Sequence, residues 1–129
     1  MILYIPISVA ELLDKITILL IKQNTLNDPV KLVNVSNELR ILNEIMEKNL
    51  IANAEFDDLY RIMYDINKTG WDLEDKIREL MRNPRTDQEF IDTAFSIHDN
   101  NDQRAKHKLR INRSYGSAII EEKSYKEIA

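Results

Sequence analysis

The chain contains no cysteine, which excludes a disulfide scaffold, a thiolate zinc site and a cysteine nucleophile. The same absence suits a reducing compartment. Glycine occurs twice and proline three times in 129 residues. An all-β sandwich of this length would need many more turn residues, so helices are favoured. Long hydrophobic runs are missing as well. The longest apolar stretch, ITILLI, is six residues, whereas a membrane helix needs about 20. The opening MILYIPISVA lacks the basic region and small-residue cleavage site of a signal peptide. The expectation is therefore a cytoplasmic protein without a membrane span. His98 and His107 are nine residues apart and off one another's helix face, so neither a metal nor another cofactor is expected. Glycine-rich phosphate loops and H-E-x-x-H are absent, and no serine is paired locally with a base.

What is present is an ordinary globular balance, 43% hydrophobic and 31% charged. It fits one helical domain over 1–129 with a core of its own. Net charge is −4, yet Gln103–Ser117 holds five basic residues and no acid. The run RAKHKLRINR does not read as a nucleic-acid surface. Its charges go round the helix, no aromatics interleave, and the whole chain is acidic. Basic residues also suit the C-terminal half of a helix through the macrodipole.

Periodicity and caps predict an all-α, four-helix antiparallel bundle with helices at about 9–23, 29–49, 54–82 and 87–115. Ser8 with Glu11 forms a capping box before the first helix. The apolar residues of that helix nearly encircle it, so it should be the central one. Asp28 caps the second helix, with Pro29 at its first position. Leu32, Val35, Leu39, Leu42 and Met46 then mark its buried stripe. The third helix is the most regular. Phe56, Leu59, Met63, Ile66, Gly70, Leu73, Ile77 and Leu80 keep the three–four spacing of a helix-packing seam until Asn83-Pro84 ends it. Gly70 inside that seam costs about 1 kcal/mol relative to alanine, which a close helix crossing or a kink beside Trp71 would explain. Thr86 with Glu89 suggests a capping box for the fourth helix, and Gly116 stops it. ILYIPI and SAIIEEKSY, at the two ends, are short and helix-poor; they could pair as strands or lie extended.

The fourth helix departs from the pattern. Its apolar stripe, followed at 3.6 residues per turn, runs Phe90, Ala94, Ile97, Asn101, Ala105, Lys108, Asn112, with Arg104 alongside. Polar side chains thus fall where packing wants apolar ones. Three readings follow: a solvated overhang, a satisfied network with acids such as Asp14, Asp72 or Glu74, or a pocket of converging donors for an anion. In WDLEDKIRE, Asp72–Lys76 and Glu74–Arg78 have the favourable i, i+4 order. Glu11-x-x-Asp14 resembles half of the acid pattern of all-α nucleotide pyrophosphatases, with Asp72 and Asp75 as the remaining carboxylates, although these two should face solvent. LLDKITILLIKQ has the look of the first helix of chorismate mutase, but the arginine that would bind a carboxylate is lacking.

ELLDKITILLIKQ, LVNVSNELRIL, WDLEDKIREL, NDQRAKHKLRIN and GSAIIEEKSY, in this order, resemble a bacterial and phage family catalogued only as a domain of unknown function. The resemblance implies no activity. It does supply a shortlist of positions that match the family pattern. These are Asp14, Lys15, Lys22, Trp71, Asp72, Glu74, Asp75, Arg78, Asn101, Asp102, Arg104, Lys108 and Asn112, with the tail Glu121–Tyr125. The leading expectation is a small helical binding or interaction protein that self-associates as a homo-oligomer. The alternative is an enzyme or sensor for a small anionic or phosphate ligand, held by Asn101, Arg104, Lys108 and Asn112 with Asp14 or Glu74 as partner. A metal-dependent pyrophosphatase stands third.

Overall fold

The computed structural model describes residues 1–82 and 87–124. Four helices follow one another: α1 (Val9–Thr25), α2 (Pro29–Asn49), α3 (Ala54–Arg82) and α4 (Gln88–Tyr115). Each start is fixed by a short polar side chain that takes up a free backbone N–H. Ser8 Oγ accepts from Glu11 N, Asp28 from Val30 N, Asn53 from Phe56 N and Asp87 from Phe90 N. The Ser8 box is one-sided, because the Glu11 carboxylate turns instead to Lys108. Asp87 caps α4; Thr86, expected in that place, lies outside the described residues, as does the Asn83-Pro84 stop. Gly116 ends α4 in the left-handed region, φ 59°, where a side chain would be strained.

α1 packs against all three other helices, as its encircling apolar surface predicts. Ala10, Leu13, Leu59, Met63 and Ile111 join α1, α3 and α4 in one cluster; Leu12, Ile16, Leu19, Val35 and Leu39 join α1 to α2 in another. All eight residues of the predicted α3 seam are buried or half-buried. Cross-helix bonds fix the directions. Glu55 meets Ser114, Leu59 meets His107, Ile66 meets Asn100 and Lys76 meets Glu89, so α3 and α4 run antiparallel. Ala10–Asn112 and Asp14–Arg104 set α1 antiparallel to α4 in the same way.

At two points one of the alternatives left open by the sequence falls away. The terminal segments form no strand among the described residues. Met1–Ile5 is instead an exposed apolar arm, and Val9 N, at the start of α1, donates to Ser117 Oγ just past the end of α4. Pro6 contributes no N–H to a ladder there. The C-terminal half of α4 is also no solvated overhang: His107, Ile111 and Asn112 are buried against α1 and α3.

Candidate functional site

A line along α4 turned toward the other helices runs Thr93, Ile97, Asn100, Arg104, His107, Ile111. It shares Ile97 with the stripe read from the sequence and otherwise lies one position before it, although Asn112 of that stripe is buried too and the Lys108 side chain is largely covered. Its spacing of four and three is that of a coiled seam, but four of its six members are polar. Three of these reach another helix, Arg104 to α1 and Asn100 and His107 to α3, while Thr93 Oγ1 donates to the Glu89 carbonyl within α4. Asn100 Nδ2 donates to the Ile66 carbonyl at 3.0 Å. His107 Nε2 lies 2.8 Å from the Leu59 carbonyl, and since a carbonyl only accepts, that nitrogen carries the proton. Burial, with Arg110 nearby, holds the imidazole below its ordinary pKa despite the Leu59 bond.

Asp14 is the centre of the arrangement. It is only 1% exposed, on α1, the helix that touches every other. Burial alone would raise its pKa. Hydrogen bonds from Arg104 and Asn67, with the charges of Arg104 and Lys108, outweigh that and hold the carboxyl below its usual range. Arg104 grips it side-on, Nε to Oδ1 at 3.0 Å and Nη2 to Oδ2, and Asn67 Nδ2 reaches Oδ1 at 2.9 Å. Asn67 Nδ2 is also 2.9 Å from Thr17 Oγ1, whose hydroxyl turns back to the Leu13 and Asp14 carbonyls. Lys108 Nζ sits between three carboxylates, 2.8 Å from Glu11, 3.2 Å from Glu121 and 3.6 Å from Asp14. Lys123 closes the chain on Glu121. No buried side-chain nitrogen or oxygen among the described residues is left without a partner, so the network is satisfied, as a stable polar core requires.

Beside this network a cavity of about 320 Å³ opens between α1, α3 and α4. Asn67, Gly70, Asn100 and Arg104 line its inner part, Ile18, Trp71 and Ile97 add apolar wall, and Glu74, Asp75, Arg78 and Asn101 complete it. Asn101 and Arg104 also line an adjoining cavity of about 240 Å³, together with Lys108, Glu121 and Lys123. Trp71 thus borders a cavity rather than being sealed in the core. Gly70 is explained by a close crossing: a Cβ there would stand 2.6 Å from Asn100 Oδ1.

The six residues singled out from the sequence therefore have different places. Asp14, Arg104 and Lys108 are brought together. Asn101 is exposed at the junction of the two cavities. Glu74 lies on the first cavity, 3.7 Å from Arg78. Asn112 borders neither: it is 2% exposed, and its Oδ1 accepts from Ala10 N at 2.9 Å, holding the N-terminus of α1 against α4. Asp72 pairs with Lys68 rather than Lys76, which crosses to Glu89. Glu11 and Asp14 face Lys108 and Arg104, away from the exposed Asp72 and Asp75, and no acid or histidine cluster able to hold a metal occurs among the described residues. Sequence reasoning missed Asn67, Asn100 and His107. The recurrence of Thr93, Asn100 and His107 every seven residues was the available signal.

Seven members of the shortlist from the family resemblance border these two cavities: Trp71, Glu74, Asp75, Arg78, Asn101, Arg104 and Lys108, with Glu121 of the tail. No helix among the described residues is long and apolar enough to cross a membrane. The chain belongs to a family described as "Family of unknown function (DUF6165)", whose model matches residues 3–128. No curated protein and no solved structure matches it.

Proposed function

Since membership of this family brings no activity with it, we propose from the geometry that the chain is a small-molecule-binding protein. Its ligand carries an anionic group held in the cavity between α1, α3 and α4. The observation behind this reading is Arg104. Asp14 fixes its guanidinium through Nε and Nη2, while Nη1 has no partner among the described residues and the side chain, 35% exposed, borders both cavities. A planar cation anchored on one edge is preorganised to receive a carboxylate or phosphate on the other. Asn101, exposed beside it, supplies a neutral donor. Lys108 contributes less, because three carboxylates already surround it. A volume of about 320 Å³ is at the small end of the roughly 300–1,000 Å³ typical of ligand pockets.

Binding is favoured over catalysis because the charged groups are already matched, Arg104 with Asp14 and Glu74 with Arg78. The lack of cysteine supports a reducing, cytoplasmic setting. Thermal denaturation against inorganic phosphate, nucleotides, sugar phosphates and small carboxylates tests the reading. A midpoint that rises with concentration is expected for at least one class, with the rise lost in Arg104→Lys, which keeps the charge but not the fork. No rise with any of them would end it.

A second reading, self-association, has its own support. Val30 and Val33 on α2, Ile91 and Phe95 on α4, and the Met1–Ile5 arm are exposed. Sedimentation should then give more than one chain per particle; a strict monomer at high concentration would refute it.

A further inference from the structure

Resting on the anion-binding reading, we infer that the rest of the ligand is a hydroxylated ring of monosaccharide size, so that the cavity takes a sugar acid or sugar phosphate. The case begins with Asn67 and Asn100, two residues more than nine-tenths buried, at 8% and 9% exposure, that border the same cavity. Their amide orientations are fixed by chemistry. Asn67 must turn its NH₂ to the Asp14 carboxylate, and Asn100 must turn its own to the Ile66 carbonyl. Both Oδ1 atoms are thereby committed as acceptors, yet neither receives a donor from the described residues. Neither is sealed off, since no buried side-chain oxygen there lacks a partner. Asn100 points its oxygen at Gly70, on the cavity side, and its nitrogen at Ile66, on the far side of the α3–α4 crossing. Gly70 leaves room for that oxygen, where a Cβ would stand 2.6 Å away.

The cavity thus offers two neutral acceptors, one from Asn67 on α3 and one from Asn100 on α4, the latter set against Gly70, one turn of α3 beyond Asn67. Water can serve them until a ligand displaces it. A ligand that buries them must bring its own donors, because an acceptor left unpaired on desolvation is costly. At the two amides hydroxyl donors fit better than ammonium donors: a cation there would stand beside the Arg104 guanidinium, with the Glu74 carboxylate already paired to Arg78, whereas hydroxyls donate without charge. Trp71 brings an indole to the cavity wall, and an aromatic ring suits the C–H groups of a saturated ring. Glu74 and Asp75 add carboxylates able to accept from outer hydroxyls. The anionic substituent goes to Arg104 and Asn101.

Calorimetric titration of the full chain with matched probes tests the inference. Glucuronate, galacturonate, glucose 1-phosphate and mannose 6-phosphate carry ring hydroxyls and an anion. Cyclohexanecarboxylate keeps the ring and the anion without hydroxyls, and O-phosphoserine replaces hydroxyls by an ammonium. At least one sugar anion should bind about tenfold or more tightly than cyclohexanecarboxylate and O-phosphoserine. That preference should shrink in Asn100→Ala, which removes the acceptor, and in Gly70→Ala, which crowds it while every other side chain remains. If cyclohexanecarboxylate binds as well as the sugar anions, or O-phosphoserine binds better, the hydroxylated ring is refuted and the anion site stands. A preference unchanged in both variants refutes the placement at Asn100. If no anion binds, the anion-site reading itself fails.

Discussion

Replacing Arg104 by methionine removes the guanidinium but keeps most of the stem, and it strands the Asp14 carboxylate at 1% exposure. Asn67 would remain at 2.9 Å, with Lys108 at 3.6 Å. Losing one partner of a buried ion pair costs roughly 3–5 kcal/mol. Because the Arg104 side chain is 35% exposed and Lys108 stays nearby, the low end applies, about 3 kcal/mol. The loss should depend on pH with a definite sign. A carboxyl held below its usual range in the folded state contributes stability above its unfolded value, about 3.9, and that contribution is lost as pH falls through the lower folded value. In the variant, burial dominates and the carboxyl is easily protonated, so the gap between variant and parent should narrow from pH 7 to pH 3. The double variant Asp14→Leu/Arg104→Met removes both charges. Asn67 keeps Thr17 and Lys108 keeps Glu11 and Glu121, so the double variant should be more stable than Arg104→Met alone. Urea unfolding of all four members of the cycle at both pH values, with unchanged slopes, measures this. A loss under about 1 kcal/mol for Arg104→Met at pH 7, or strict additivity in the cycle, would refute the view of Asp14 as a buried anion held by Arg104.

Other sites yield further tests. Gly70→Ala should fail to give the roughly 1 kcal/mol that alanine ordinarily adds within a helix, because its Cβ displaces Asn100; removing Asn100 as well should restore part of the gain, read from melting midpoints. Asn112→Ala should cost about 1–2 kcal/mol by freeing Ala10 N at the start of α1, with hydrogen exchange fastest in the first turn of that helix; uniform exchange would count against a local role. His107 is held below its ordinary pKa, so its contribution to stability is present above about 6.5 and declines as pH falls. The melting midpoint of the parent should therefore drop more between pH 7 and pH 5.5 than that of His107→Gln, which can still donate to Leu59; parallel curves would show that His107 does not titrate in the fold.

Much of the backbone was decided by local sequence. Ser8, Asp28 with Pro29, and Gly116 mark helix boundaries because capping and left-handed termination are matters of one or two residues. The unbroken α3 seam and the encircling apolar surface of α1 were also readable, since burial of an apolar face leaves a period in hydropathy. The phase of α4 was readable only in part. An apolar template caught Ile97, Lys108 and the buried Asn112, but asparagine, arginine and histidine carry no hydropathy signal, so it took the exposed Asn101 in place of the buried Asn100 and passed over His107. Whether a polar side chain is buried depends on what another element brings to it: Asp14 to Arg104, the Ile66 carbonyl to Asn100, the Leu59 carbonyl to His107, the N-terminus of α1 to Asn112. Those partners are 34 to 102 positions away in the chain. Only the packing of α1, α3 and α4 could decide which polar residues meet, and the same packing leaves the cavity between them.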